Sequence, residues 1–401
     1  MSMLRRIVTP PRLIMAVFFM HSVVTGNWLQ RIPDVQARLA VGPDELSIGL
    51  LGAPIGTLIS LFFAGPIVAR LTPRRTMLFG FVAYYFAYWL PGWAWSVASL
   101  FAALFVVGAT QPIVDVAMNV EADRIERGLG GRRIMSTCHG FWSIGLMTGG
   151  LIGAGFAATG MAPPWHVITA AVAALPVALA IVRALPPDRP AAVAEGAPPP
   201  RIALPTWSLL PLCFFSFGML VVESAGLDWT TVFLRDVVQI SPGLTGIGFA
   251  AFALFMAAGR LVGDRLAERF GPVALARGCC LICLAGVVGL VTSASFAQSL
   301  VSLAAIGFGV SVAVPLSVTA AAGRGDRPAA VNVAALSQVA FTGFLIEPRL
   351  VGATAGAWGL RIGLAMVIPL IVTSLLLAGE LRRRIAPAGR VPPNPLSEIA
   401  T

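Results

Sequence analysis

Asp115, Glu223 and Glu347 are acids set inside long apolar runs. A carboxylate there is unfavourable as a bare charge, so it takes a partner, takes a proton, or does both in turn. Glu223 lies about two thirds of the way through its run. Desolvation favours the protonated acid, and a change of water access releases the proton, which is the chemistry of a coupling group. The plainer use of Glu223 is a hydrogen bond to a neighbouring helix. Asp115 and Asn119 are four residues apart and share one helix face. They read either as a polar cavity wall for protons or ligand hydroxyls, or as a gate in which Asp115 pairs with Arg70 or Arg74. His139, near the same end, titrates near neutrality and is suited to take a proton from Asp115 or to hold a structural hydrogen bond. His21 reads equally as helix packing or as part of a cavity. Glu347 and Arg349 flank Pro348; on an ideal helix they face apart, so each pairs with another helix or sets a substrate preference.

The elements that position these residues are membrane helices. Hydrophobic residues make up 57% of the chain and charged residues 11%, with mean hydropathy +0.85, a composition that cannot present a polar surface to water on all sides. Twelve apolar segments fall at 13–30, 46–69, 76–95, 97–120, 134–160, 165–182, 207–227, 243–263, 273–293, 295–322, 330–355 and 362–379, each near the length that crosses a bilayer core. The expected class is an all-α membrane protein with twelve transmembrane helices.

The formal net charge of +10 does not imply a nucleic-acid partner, because no arginine-rich face is interleaved with aromatics. The 28 basic residues are all arginine, and they gather on alternate gaps. Arg5, Arg6 and Arg12 precede segment one. Arg70, Arg74 and Arg75 follow segment two, and Arg124, Arg127, Arg132 and Arg133 follow segment four. Arg183, Arg189 and Arg201 come after segment six; Arg260, Arg265, Arg269 and Arg277 surround the eighth gap; Arg324, Arg327, Arg382, Arg383, Arg384 and Arg390 follow the same pattern, and Arg31, Arg38, Arg235, Arg349 and Arg361 lie elsewhere. Arginine excess marks the cytoplasmic side, so both termini are expected there. Arg12 leads into a first span without a small-residue cleavage site, so no removable signal is expected. The five cysteines, including Cys280 and Cys283 of a CxxC, lie in apolar segments without accompanying histidines and read as packing residues, with no metal or cofactor expected.

The chain repeats at half length. Asn27 and Trp28 recur as Asp228 and Trp229, Pro43 as Pro242, Ile48 and Gly49 as Ile247 and Gly248, and Arg70 as Arg269. Two pseudo-symmetric six-helix bundles follow, at 1–185 and 206–401, the second ending in a short cytoplasmic tail. A cytoplasmic proline- and alanine-rich linker at 186–205 joins them, and a ligand site is expected between the halves near the midplane.

Gly65, Arg70, Arg74 and Arg75 after segment two resemble the loop signature of the major facilitator superfamily. Ala69 stands where that signature has aspartate and Thr72 where it has glycine, while the second copy keeps Glu268, Arg269 and Gly271. More of the chain is similar to the bacterial YbjJ/MosC-like group of that superfamily: Trp28 to Pro33, Asp115 to Asn119, Met135 to His139, Glu223 to Trp229, Gly259 to Arg265, and Val314 and Pro315 running to Gly323 and Arg324. The resemblance implies a bacterial inner-membrane transporter with sugar or sugar-like symporters among its relatives, and a cytoplasmic gate at Arg70, Arg74, Arg75, Glu268 and Arg269. Segment five carries Gly145, Gly149, Gly150 and Gly153, which read as helix packing; Leu146 stands where the antiporter signature of that segment has proline.

No P-loop, nucleophile elbow or metal-ligand cluster marks an enzyme, so the energy source is expected to be a gradient. The leading expectation is alternating-access, proton-coupled symport of a small polar, neutral solute such as a sugar or cyclitol by a monomer. Glu223, Asp115, Asn119, His139 and Glu347 line its site, while Trp28 and Trp229, beside Asn27 and Asp228, close it or stack on a sugar ring. The alternatives are a proton-driven antiporter exporting an amphipathic compound, and a non-transporting membrane sensor.

Overall fold

The computed structural model describes residues 9–129, 134–187 and 204–382. The arginines at 5, 6, 132, 133, 189, 201, 383, 384 and 390 lie outside the described residues, as does nearly all of the expected linker at 186–205. Among the described residues every regular element is helical. The spans are α1 (Pro10–Leu39), α2 (Pro43–Leu71), α3 (Pro73–Ala87), α4 (Val97–Arg127), α5 (Met135–Ala158) and α6 (Pro163–Ala184). In the second half they are α7 (Leu210–Asp236), α8 (Pro242–Phe270), α9 (Pro272–Val291), α10 (Phe296–Ala322), α11 (Ala329–Trp358) and α12 (Leu360–Leu381).

Eleven helices among the described residues are long and apolar enough to cross a membrane. The twelfth expected segment, 76–95, forms α3, a 15-residue helix about 22 Å long, followed by a 3-10 turn at Leu90–Trp93. The third crossing is thus built in two pieces, broken near Pro91 and Gly92, which explains why length alone misses it.

Proline opens many of these helices: Pro10, Pro43, Pro73, Pro163, Pro242 and Pro272 occupy first-turn positions, where a missing N–H breaks no bond. The half-length repeat is visible even in the caps. Ser96 accepts from the Ser99 N–H at the start of α4, and Ser295 accepts from the Gln298 N–H at the start of α10. Packing repeats likewise: α1 lies on α5 as α7 lies on α11, and α2 on α4 as α8 on α10. The halves meet along α5 and α8, and through the Pro43–Leu50 part of α2 against α11.

Glycine makes the contacts within the first half close enough for backbone to touch backbone. A Cβ at Gly145 would sit 2.2 Å from the Phe19 carbonyl oxygen, and one at Gly149 would sit 2.0 Å from that of Val23. Between α2 and α4, a Cβ at Gly56 would meet the Phe105 carbonyl at 2.2 Å. Gly145 and Gly149 therefore serve helix packing, as expected of small residues at this spacing. Gly149→Ala should lower the thermal stability of the purified protein by about 1–3 kcal/mol, the usual effect of overpacking. Gly155→Ala, where no neighbour lies within 4 Å, should leave the unfolding temperature near that of the parent.

The joints between α2 and α3 and between α8 and α9 differ instructively. Thr72 (φ 72°, ψ 152°) and Gly271 (φ 80°, ψ 152°) adopt the same conformation, one reserved almost wholly for glycine. The first-half copy thus holds a β-branched residue in a backbone shape that strains it. Thr72→Gly should raise stability by roughly 1–3 kcal/mol, read from thermal unfolding beside Gly271→Thr, which should lower it.

Candidate functional site

The polar groups inside the bundle fall into three linked sets. In the first half, α1 places His21, fully buried, between α3, α4 and α5. Its ring stacks on Tyr84 (4.6 Å, 3°). Its Nδ1 accepts from the Trp142 indole N–H at 3.1 Å, and its Nε2 lies 3.5 Å from Asp115 Oδ1. The Tyr84 hydroxyl pairs with Thr25 Oγ1 at 2.7 Å, and Tyr88 donates to the same Thr25 oxygen at 3.2 Å.

In the second half, Glu223 lies midway along α7 and pairs with Arg260 of α8 at 2.8 Å. Arg260 also donates to Ser143 of α5 at 2.7 Å, and its guanidinium lies 5.9 Å from the Trp142 ring centroid. This chain of contacts runs from Asp115 through His21, Trp142 and Arg260 to Glu223, crossing from one half to the other. Beyond it, Glu347 of α11 is fully buried and accepts from the Ser224 hydroxyl at 2.9 Å. Asp228 lies close to the same carboxyl. Trp229 lies within reach of it, although Glu347 Oε1 and the Trp229 N–H make no well-formed hydrogen bond.

These positions revise several expectations. Arg260, grouped with the cytoplasmic arginines by sequence, sits about three turns before the end of α8 as the counter-ion of Glu223. Asp115 meets His21, while Arg74 donates to the main chain at Val182 and Arg183. Asn119 turns back to the Asp115 carbonyl at 2.8 Å, and His139 packs edge-on to Phe18 at 5.2 Å. Asn27 bonds His166 at 2.8 Å within the first half, and Trp28 is buried beside it. Glu347 and Arg349 do turn to different helices: Arg349 donates to Asp44 at 2.7 Å and to Ser47 at 3.0 Å on α2. Arg70, Arg75, Glu268 and Arg269 are exposed and form no ion pair among the described residues.

The end remote from the arginine-rich loops is tied shut between the halves. Gln30 donates to Thr245 at 2.6 Å, Thr231 to the Leu29 carbonyl at 3.3 Å, and Arg235 to Gln36 at 2.8 Å and to the Pro33 carbonyl. Arg349 with Asp44 closes the α2–α11 edge. Toward the arginine-rich end, α11 and the Gly52–Leu71 part of α2 move apart, and Asp115 keeps 36% side-chain exposure. Trp93, Trp95, Trp165 and Trp358 are exposed, as interfacial residues are. Among the described residues no group of three or more His, Cys, Asp or Glu gathers as a metal site.

The family model for the Major Facilitator Superfamily matches residues 13–346. The chain belongs to the major facilitator superfamily. It is a multi-pass membrane transporter, as members of this superfamily are, and takes a small-molecule substrate. It is 29% identical over 358 residues to an uncharacterized MFS-type transporter of Yersinia pestis, covering 89% of this chain and 91% of the relative. It is 29% identical over 356 residues to the membrane protein MosC of Rhizobium meliloti, covering 88% and 85%, and 30% identical over 363 residues to a chloramphenicol resistance protein of Streptomyces lividans, covering 81% and 89%. A variant of the nucleoside transporter NupG superposes with a TM-score of 0.73 at 10% identity, over 93% of this chain and 99% of that one. A bacterial homolog to the human lysosomal transporter Spinster, inward-facing and unoccupied, gives 0.66 at 16%, over 95% and 100%. The superfamily fold accounts for the two six-helix bundles and for the polar sets lying where they face one another.

Trp142, Tyr84 and Arg260 escape a reading that looks for acids in apolar runs. The available signal was Arg260 itself, which falls inside segment 243–263 and needs a counter-charge there. Arg260→Ala should lower stability by about 3–5 kcal/mol, because it leaves Glu223 buried and uncompensated. The double change Arg260→Gln with Glu223→Gln should lose distinctly less in thermal unfolding of the purified protein.

Proposed function

We propose that the protein is a proton-coupled symporter of a small, hydroxyl-rich polar solute, working as a monomer in the bacterial inner membrane. Its termini and arginine-rich loops lie in the cytoplasm, and its halves, 1–185 and 206–401, joined by 186–205, rock about the site between them. The present state is then open toward the cytoplasm.

The observation that carries the proton assignment is the contact between Asp228 and Glu347. Two carboxyls close together in an apolar interior do not both stay charged, so one of them takes a proton; Glu347 is fully buried, and the nearby Arg349 is engaged by Asp44 and Ser47. A group that holds a proton in one state and loses it when water reaches it can tie proton entry to a change of access. Asp115 beside His21 forms a second such group, and Glu223 supports the site through Arg260. Hydroxyl, indole and carboxyl groups around the site suit a solute rich in hydroxyls, and the likeness to a nucleoside transporter agrees with that class.

Uptake into proteoliposomes of labelled sugars, cyclitols and nucleosides, chosen by thermal-shift screening, should rise under an inward proton gradient and fall when a protonophore is added. Glu347→Gln and Asp228→Asn should each reduce gradient-driven uptake by roughly 5- to 150-fold, the usual size of coupling between two sites, while solute counterflow persists. Uptake indifferent to the gradient, with normal transport by Glu223→Gln as well, would reject symport. Proton-driven export is the second reading, favoured by the likeness to the Streptomyces lividans protein, and extrusion of chloramphenicol by expressing cells would support it.

A further inference from the structure

Trp142 touches both halves with different parts of one side chain. Its indole N–H donates to His21 Nδ1 at 3.1 Å, within the first half. The ring lies beneath Arg260 of the second half, 5.9 Å from centroid to guanidinium carbon. Arg260 in turn holds Glu223 and Ser143.

The bond to Trp142 fixes the histidine tautomer. An Nδ1 that accepts carries no hydrogen, so the neutral ring bears its proton on Nε2, facing Asp115 Oδ1 at 3.5 Å. A further proton has one lone pair available to it, on Nδ1. When that N–H bond forms, the hydrogen bond from Trp142 is lost, two N–H donors face each other, and the indole must turn or withdraw. No bond other than this hydrogen bond breaks, and the new charge lies opposite Asp115. A displaced indole no longer offers Arg260 the same face. Arg260 belongs to α8, the helix that seams the second half to α5.

We infer that Trp142 is a positioning residue that converts protonation of His21 into a change at the α5–α8 contact between the halves. This rests on the proton-driven reading above. Asp115 from α4 and Tyr84 from α3 face His21 directly; the other charged and titratable groups packed on α1 or joined to this set are Tyr85 at the Met20 carbonyl, Tyr88 at Thr25, His139 of α5 on Phe18, His166 of α6 at Asn27, and Arg260 of α8 over Trp142.

The test uses the full chain with spin labels at Arg183→Cys and Arg277→Cys, exposed positions of opposite halves at the arginine-rich end. The native cysteines are all buried. Distances by electron–electron double resonance, followed from about pH 4 to about pH 8, should shift in the parent between two populations. Trp142→Phe keeps a ring beneath Arg260 but removes the N–H that competes with the proton. Its transition midpoint should move upward by about one pH unit, a tenfold change in proton affinity. His21→Gln, which accepts from Trp142 but takes no proton, should flatten the response. A pH-independent distance in the parent, or a Trp142→Phe profile superimposable on it, overturns the inference. A parent and Trp142→Phe that respond alike leave proton-driven transport standing and remove Trp142 from it, whereas solute uptake blind to a proton gradient removes the proton-driven reading itself.

Discussion

Every polar group that this bundle carries into the bilayer must find its partner in protein, because hydrocarbon offers none. That constraint explains why the interior charges come in sets drawn from different helices. Glu223 of α7 has Arg260 of α8, Asp115 of α4 has His21 of α1, and Glu347 of α11 has Ser224 of α7. Each set pins two helices, and Arg260 with Ser143 pins the two halves. The same groups are those whose protonation changes the number of partners they need. The features that order the fold and the features that can respond to a proton are therefore largely the same atoms.

The two ends of the molecule solve the problem of contact differently. Away from the arginine-rich loops, the halves are joined by single hydrogen bonds from Gln30, Thr231 and Arg235 together with the Arg349–Asp44 pair, which is about half exposed on both sides. Half-exposed pairs and single hydrogen bonds are individually weak. Such a closure is made of several small interactions, so no single contact holds it shut.

Sequence carries much of this architecture. Twelve apolar segments, the half-length repeat and the spread of arginine point to two bundles of six, and the repeat reappears in the Ser96 and Ser295 caps. The third span is harder to read because its helix ends at Ala87 and its remainder is a 3-10 turn around proline and glycine. The site is legible in its acids and obscure in their partners. Hydropathy marks Glu223 and Glu347 as out of place, but partner choice depends on how helices far apart in sequence pack. His21 and Trp142 are separated by more than a hundred residues, and no local pattern joins them. Arg260 is obscured by the arginines that follow it at the end of the same helix. Thr72 is the reverse case: its departure from glycine is plain in sequence, and its backbone shape gives that departure a physical cost.

The glycine contacts of the first half have a mechanical consequence. Where α1 lies on α5, and α2 on α4, with backbone against backbone, no compressible layer of side chains separates the helices, so sliding one past another would drive main-chain atoms together. Each of these two pairs is therefore a stiff unit. Movement is left to the seam between the halves, where Phe249 overlies Gly150 and Leu261 overlies Gly140. Flexible side chains facing bare backbone there act as a bearing surface, able to roll where the rest of the molecule is locked.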